Sequence, residues 1–226
     1  MGNKWKAWLP VGILTSSLLI WSAGLGALTF DVVVSSSTSF NGLPVTLAFD
    51  YIDGGSQDNT VTLSALTLSA DWTDGTPVDD PPGSVCGLDP TCPPPWTFTD
   101  AGGACSFCEL RVPFSAMGST LSFSFTTTDN PPTDPAQSPD SFSFFMLDSN
   151  GLPLFPTSDT TGADALFLFN IGGAGDCDLS LCVYSPVPAI EGFSLSVTPV
   201  TPAPEPGTLA LLAAGFGALL RRRRFT

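Results

Sequence analysis

Apolar and polar residues alternate with a period of two along much of this chain. In "TLSFSFTTT" Leu121, Phe123 and Phe125 oppose Ser122, Ser124 and Thr126, in "GFSLSVT" the apolar set is Phe193, Leu195 and Val197, and in "VTLAFDY" it is Val45, Leu47, Phe49 and Tyr51. Successive side chains of a strand point to opposite faces, so these segments read as half-buried strands. In "TVTLSALTLSA" the apolar phase runs through Val61, Leu63 and Ala65 and then slips to Leu66 and Leu68. One extra residue near Ala65, a β-bulge, repairs it. "FSFFML" and "ALFLFNI" are apolar on both sides, as central strands covered by a second sheet would be. Asn150-Gly151, just after Asp148, is a hairpin signal. No helical period interrupts this body. The pattern predicts an all-β fold, an antiparallel β-sandwich of jelly-roll type, over residues 28–197.

The two ends break the pattern. "MGNKWKAWLPVGILTSSLLIWSAGLGA" places Lys4 and Lys6 before an uncharged run and then small residues, the anatomy of a signal peptide over residues 1–27. At the other end a Pro-rich linker, 198–203, leads to an uncharged run from Gly207 to Leu220 and then to Arg221, Arg222, Arg223 and Arg224. As a helix that run is about 21 Å long, short for a bilayer core.

Charge sharpens the division. The 226 residues hold 21 acids and seven bases. All the acids except Glu205 lie between leader and tail, where Arg111 is the only cation. Basic flanks stay cytoplasmic, so both ends mark the inside and the acidic body is expected outside. No basic patch is present to neutralise phosphates, which excludes nucleic acid as a partner.

Six cysteines lie in two groups, Cys86, Cys92, Cys105 and Cys108, then Cys177 and Cys182. In an exported chain disulfides are the expected state. Cys177 and Cys182 are close enough to pair, and the other four leave their pairing open. A four-thiolate zinc site is the rival reading of Cys105-x-x-Cys108, with a poor partner spacing at Cys86 and Cys92.

There is no histidine, and no lysine follows Lys6. Serine–histidine, cysteine–histidine and serine–lysine catalysis are thereby excluded, leaving carboxylate chemistry such as acid–base glycoside hydrolysis. Glu109 and Glu191 are the body's only glutamates, and most aspartates sit beside Gly, Asn or Pro as turn residues do. A non-enzymatic body is expected, without a cofactor unless calcium, for which "FDYIDGGSQDNT" offers Asp50, Asp53 and Asp58. A carbohydrate-binding module is the alternative, with Trp72, Trp96, Tyr51 or Tyr184 as its aromatic platform.

At Pro204-Glu205-Pro206 a resemblance becomes specific. This tripeptide, the short apolar run and the terminal arginines together resemble the PEP-CTERM sorting signal, over residues 204–226. The resemblance implies a Gram-negative host, export across the inner membrane and transient residence there. It also implies partnership with signal peptidase and exosortase, loss of the tail, and a destination at the cell surface or in an exopolysaccharide or biofilm matrix. "SFSFFMLDSNGLPLFPTSDTTGADALFLFNI" is similar to a stretch in a group of PEP-CTERM proteins without an assigned role.

Overall fold

The alternating segments do pair into sheets. The computed structural model describes residues 27–36, 40–55, 58–64, 66–73, 75–80, 84–85, 92–103, 105–131, 134, 136–173 and 180–200. Its strands are β1 (Leu28–Ser35), β2 (Val45–Ile52), β3 (Thr60–Leu63), β4 (Thr67–Leu68), β5 (Val78–Asp80), β6 (Trp96–Thr99), β7 (Phe107–Phe114), β8 (Thr120–Thr127), β9 (Asp140–Leu147), β10 (Phe167–Ile171), β11 (Leu181–Val183) and β12 (Ser194–Pro199). The first sheet has the order β12-β1-β8-β3-β6, with β4 also on β8, and the second β11-β10-β9-β2-β7-β5. Every pairing is antiparallel. Among the described residues the one helical element is a 3-10 turn at Ala101–Gly103, and no helix is long and apolar enough to cross a membrane. The terminal helices expected from the sequence fall on residues outside the described ones.

The two sheets close on a core of phenylalanine. Phe125 of β8 stacks on Phe30 of β1 at 5.0 Å and on Phe167 of β10 at 5.4 Å, so one ring ties neighbouring strands and both sheets. Phe49 of β2 stacks on Phe144 at 5.1 Å and meets Phe123 edge-on at 5.3 Å. Such pairs contribute about 0.5–1.5 kcal/mol each beyond the area they bury. The rings all come from the inward positions of the period-two pattern.

The bulge is visible in the register. Leu63 faces Phe125 and Thr67 faces Ser122, so four steps on the β3–β4 segment match three on β8. Ala65 itself lies outside the described residues. The last strand runs through Pro199, two residues past the boundary expected at 197, because β1 continues to pair with it as far as Phe30↔Pro199.

Candidate functional site

At one end of the sandwich the interior itself is polar. Here the chain leaves β2 at Asp53, leaves β6 at Asp100 and enters β9 at Asp140. One carboxylate oxygen from each of these three residues lies within 4.8 Å of the other two. Asp140 is fully buried, Asp100 nearly so, and Asp53 half-buried. Three strand ends in two sheets therefore deliver one cluster.

Local packing explains how the cluster is held. A Cβ at Gly54 would collide with the Pro139 carbonyl, so only glycine lets the loop after β2 close on the residues before β9. The Gly54 amide then donates to Asp140 Oδ1 at 2.9 Å. Asn59, fully buried, is the central organiser. Its amide nitrogen donates to Asp100 Oδ1 at 2.7 Å and its Nδ2 to Asp140 Oδ2 at 2.6 Å. Its Oδ1 accepts from the Thr128 hydroxyl at 2.8 Å and the Asn130 amide at 3.1 Å. The Tyr51 hydroxyl reaches Asp140 Oδ2 and the Asn59 carbonyl, each at 3.4 Å.

Electrostatics makes this arrangement expensive. Burial raises the Asp100 carboxyl, the Asn59 amide opposes the rise, and the neighbouring Asp140 and Asp53 charges add to it. Burial also pushes the Tyr51 hydroxyl above the usual tyrosine range, with Asp140 and Asp100 contributing. Buried carboxylates are ordinarily paired with a cation, bound to a metal or protonated. Arg111, the body's only basic residue, is elsewhere, bonded to Glu109 at 2.7 Å on the outer face of the second sheet. Three clustered carboxylates are the hard-oxygen donor set that suits calcium.

The three aspartates read from the sequence as a calcium set, Asp50, Asp53 and Asp58, are not gathered at one point. Asp53 belongs to the cluster, whereas Asp50 and Asp58 do not. Alternation along β2 turns Val45, Leu47, Phe49 and Tyr51 inward and Asp50 outward, opposite Glu109 in the register. There burial, then Glu109, raise the Asp50 carboxyl to about 7 against the opposing pull of Arg111, and its Oδ1 has no hydrogen-bond partner. Asp58 is exposed and is tied in through its backbone, whose carbonyl accepts from Asn130 Nδ2 at 2.7 Å. Asp100 and Asp140 were missed because each reads locally as an ordinary residue at a strand end. The available signal was only that "WTFTD" ends and "PDSFSFF" begins a strand with an aspartate.

The other candidates also find their places. Cys105 and Cys108 are paired with each other across a Cα separation of 5.8 Å, as a disulfide rather than with the two other cysteines of their group. Cys92 and Cys182 are disulfide-bonded too, and no described cysteine is free. Cys86 and Cys177 lie outside the described residues. Tyr51, Trp72 and Trp96 are buried, with both indole N–H groups spent on backbone carbonyls of Thr120 and Cys92, and Tyr184 is half-buried. Tyr51, Trp72 and Trp96 thus leave no open ring face, whereas Tyr184 lines a shallow groove with Pro186, Ile190 and Phe193. Glu109 is salt-bridged to Arg111, and Glu191 stands exposed in the turn before β12.

Residues 202–224, immediately beyond β12, match the family model of the PEP-CTERM protein-sorting motif. The chain carries a PEP-CTERM sorting signal. With it come export across a membrane in a Gram-negative bacterium and processing by exosortase. Pro204, Glu205, Pro206 and Arg221 to Arg224 lie within the matched segment, which is outside the described residues. No curated protein and no solved structure matches the chain.

Proposed function

We propose that this is a non-enzymatic β-sandwich which, once exosortase has removed its tail, becomes part of the cell surface or of an exopolysaccharide-rich matrix. The observation that carries the reading is the sorting motif at 202–224, joined to a disulfide-bonded body with one basic residue. Signal peptidase acts first, the inner membrane holds the precursor by the apolar tail, and the mature body leaves with neither end. Fractionation tests this. In cells lacking exosortase the tail-bearing precursor, without its leader, is expected in the membrane fraction, whereas parental cells yield a form shortened at both ends in the surface and matrix fractions. A shortened matrix form in both strains would defeat the reading.

The cofactor we propose is calcium, held by Asp53, Asp100 and Asp140. Its support is the burial of carboxylates with no lysine or arginine beside them. Bound calcium would supply the positive charge that the body lacks and would tie three loops together. Calcium is expected to raise the unfolding temperature where sodium chloride of equal ionic strength does not, and Asp53→Asn to weaken the effect. Equal responses to the two salts would reduce the cluster to a hydrogen-bonded polar plug.

A further inference from the structure

The end of the sandwich that holds the acidic cluster is also the end from which the chain departs for its sorting tail. β1 and β12 are antiparallel neighbours with Phe30 opposite Pro199, and the Val200 amide donates to the Thr29 carbonyl at 2.8 Å. Along the first sheet Leu28 faces Thr127, Val61 faces Thr127 and Thr60 faces Thr99, so Asp100 lies at this same end. Along the second, Ile52 faces Phe107 and Ile171 faces Asp140. This pole exposes apolar side chains: Leu28, Ile52, Phe107 and Val200 are 38–45 % exposed. Ile52 and Phe107 are cross-strand neighbours, and Leu28 and Val200 stand on the paired β1 and β12 segment, so the four lie in two pairs.

The length of chain beyond β12 says what meets this pole. From Thr201 to Pro206 there are six residues before the apolar run starts at Gly207. Fully extended they reach about 21 Å. An eight-residue strand such as β9 is itself about 27 Å long. While the tail is in the bilayer, the pole therefore cannot retreat from the lipid surface by as much as its own strand length, and the opposite pole, with Leu43, Leu152 and Val187 exposed, cannot replace it without the body turning over. Resting on the reading of the tail as a membrane-held sorting signal, we propose that the β12-exit pole is a lipid-docking surface in the precursor. Leu28, Ile52, Phe107 and Val200 rest against the bilayer, and Leu43, Leu152 and Val187 point away from it. The loops of this pole carry Asp53, Asp58, Asp100, Asp129, Asp134 and Asp140 with no lysine or arginine among them, so the surface it fits is zwitterionic rather than anionic.

The test uses the tail-bearing precursor without its leader in phosphatidylcholine vesicles, with a photoreactive benzophenone residue replacing Phe107, Ile52, Val183 on edge strand β11, or Leu152. All four sites are exposed in the folded body, Leu152 the most, so exposure alone favours the opposite pole. Lipid adducts are expected at Phe107 and Ile52 in at least about five-fold excess over Val183 and Leu152. Including anionic phosphatidylglycerol should cut those adducts about two-fold at low salt, with recovery at high salt. Alkaline extraction of the same vesicles separates the two layers of the argument. If the precursor washes off, the sorting-tail reading fails and this proposal fails with it. If it stays while adducts are uniform or favour Val183 or Leu152, or if anionic lipid increases them, the docking surface alone is overturned.

Discussion

The middle of the sandwich and its acidic pole are buried in opposite ways. Midway along the strands, Phe125, Phe30, Phe167, Phe144 and Phe49 fill the space between the sheets with rings that ask nothing of their neighbours except shape. At the pole, Asp140, Asp100 and Asn59 occupy comparably dry positions, and each depends on specific donors and acceptors. Burial of apolar area stabilises wherever it occurs, whereas a buried carboxylate is tolerable only while its partners hold. Stability therefore resides in the middle, and sensitivity to cations in the pole.

The largest expected effect tests the first half of that contrast. Phe125→Ala should destabilise by about 3–5 kcal/mol in chemical denaturation, since the ring leaves a cavity between both sheets. Val33→Ala, on the outer face of β1, should cost less than about 0.5 kcal/mol. Comparable losses at the two sites would mean that the phenylalanine layer is not the principal core.

The pole should answer to cations on a smaller scale. At one hundred times its dissociation constant, calcium should add about 2.7 kcal/mol to the stability of the parent body. The Phe125→Ala variant should keep that increment even though its core is weakened, because the cluster and the ring are separate devices. Asp53→Asn should reduce it. An increment that vanished with Phe125 would merge the two regions into one.

Asp50 sharpens the comparison from outside the cluster. Its carboxyl is raised in the folded body to about 7, so folding favours the protonated form. Its contribution is fully present below the ordinary carboxylate range and is lost as pH rises from about 4 through 7. Asp50→Asn should accordingly stabilise by on the order of 1–3 kcal/mol at pH 8 and change little at pH 3.5. A stability–pH curve unaltered by the substitution would show that Arg111 fully accommodates the charge despite burial and Glu109.

The same contrast explains what could be read without coordinates. Alternation is a local signal, so the strands around Phe49 and Phe123 and the extra residue between Leu63 and Thr67 were legible, and the strand at Phe142 was legible as a doubly apolar run. It also held the clue that Asp50 points away from Tyr51 and that Trp96 shares its inward phase with Phe98. The cluster was less legible because Asp53, Asp100 and Asp140 come from three distant stretches, brought together only by strand order in the second sheet and by the packing of the first sheet against it. The sorting signal was the easiest feature to read, being contiguous and independent of tertiary structure.

The central claim is that this body is made to be cut from its tail. Intact-mass analysis of the protein recovered from the surface of its native host tests it most directly. The account predicts a chain ending close to Pro204-Glu205-Pro206, without Gly207 to Leu220 and without Arg221 to Arg224. A surface protein that retains the four arginines would contradict it.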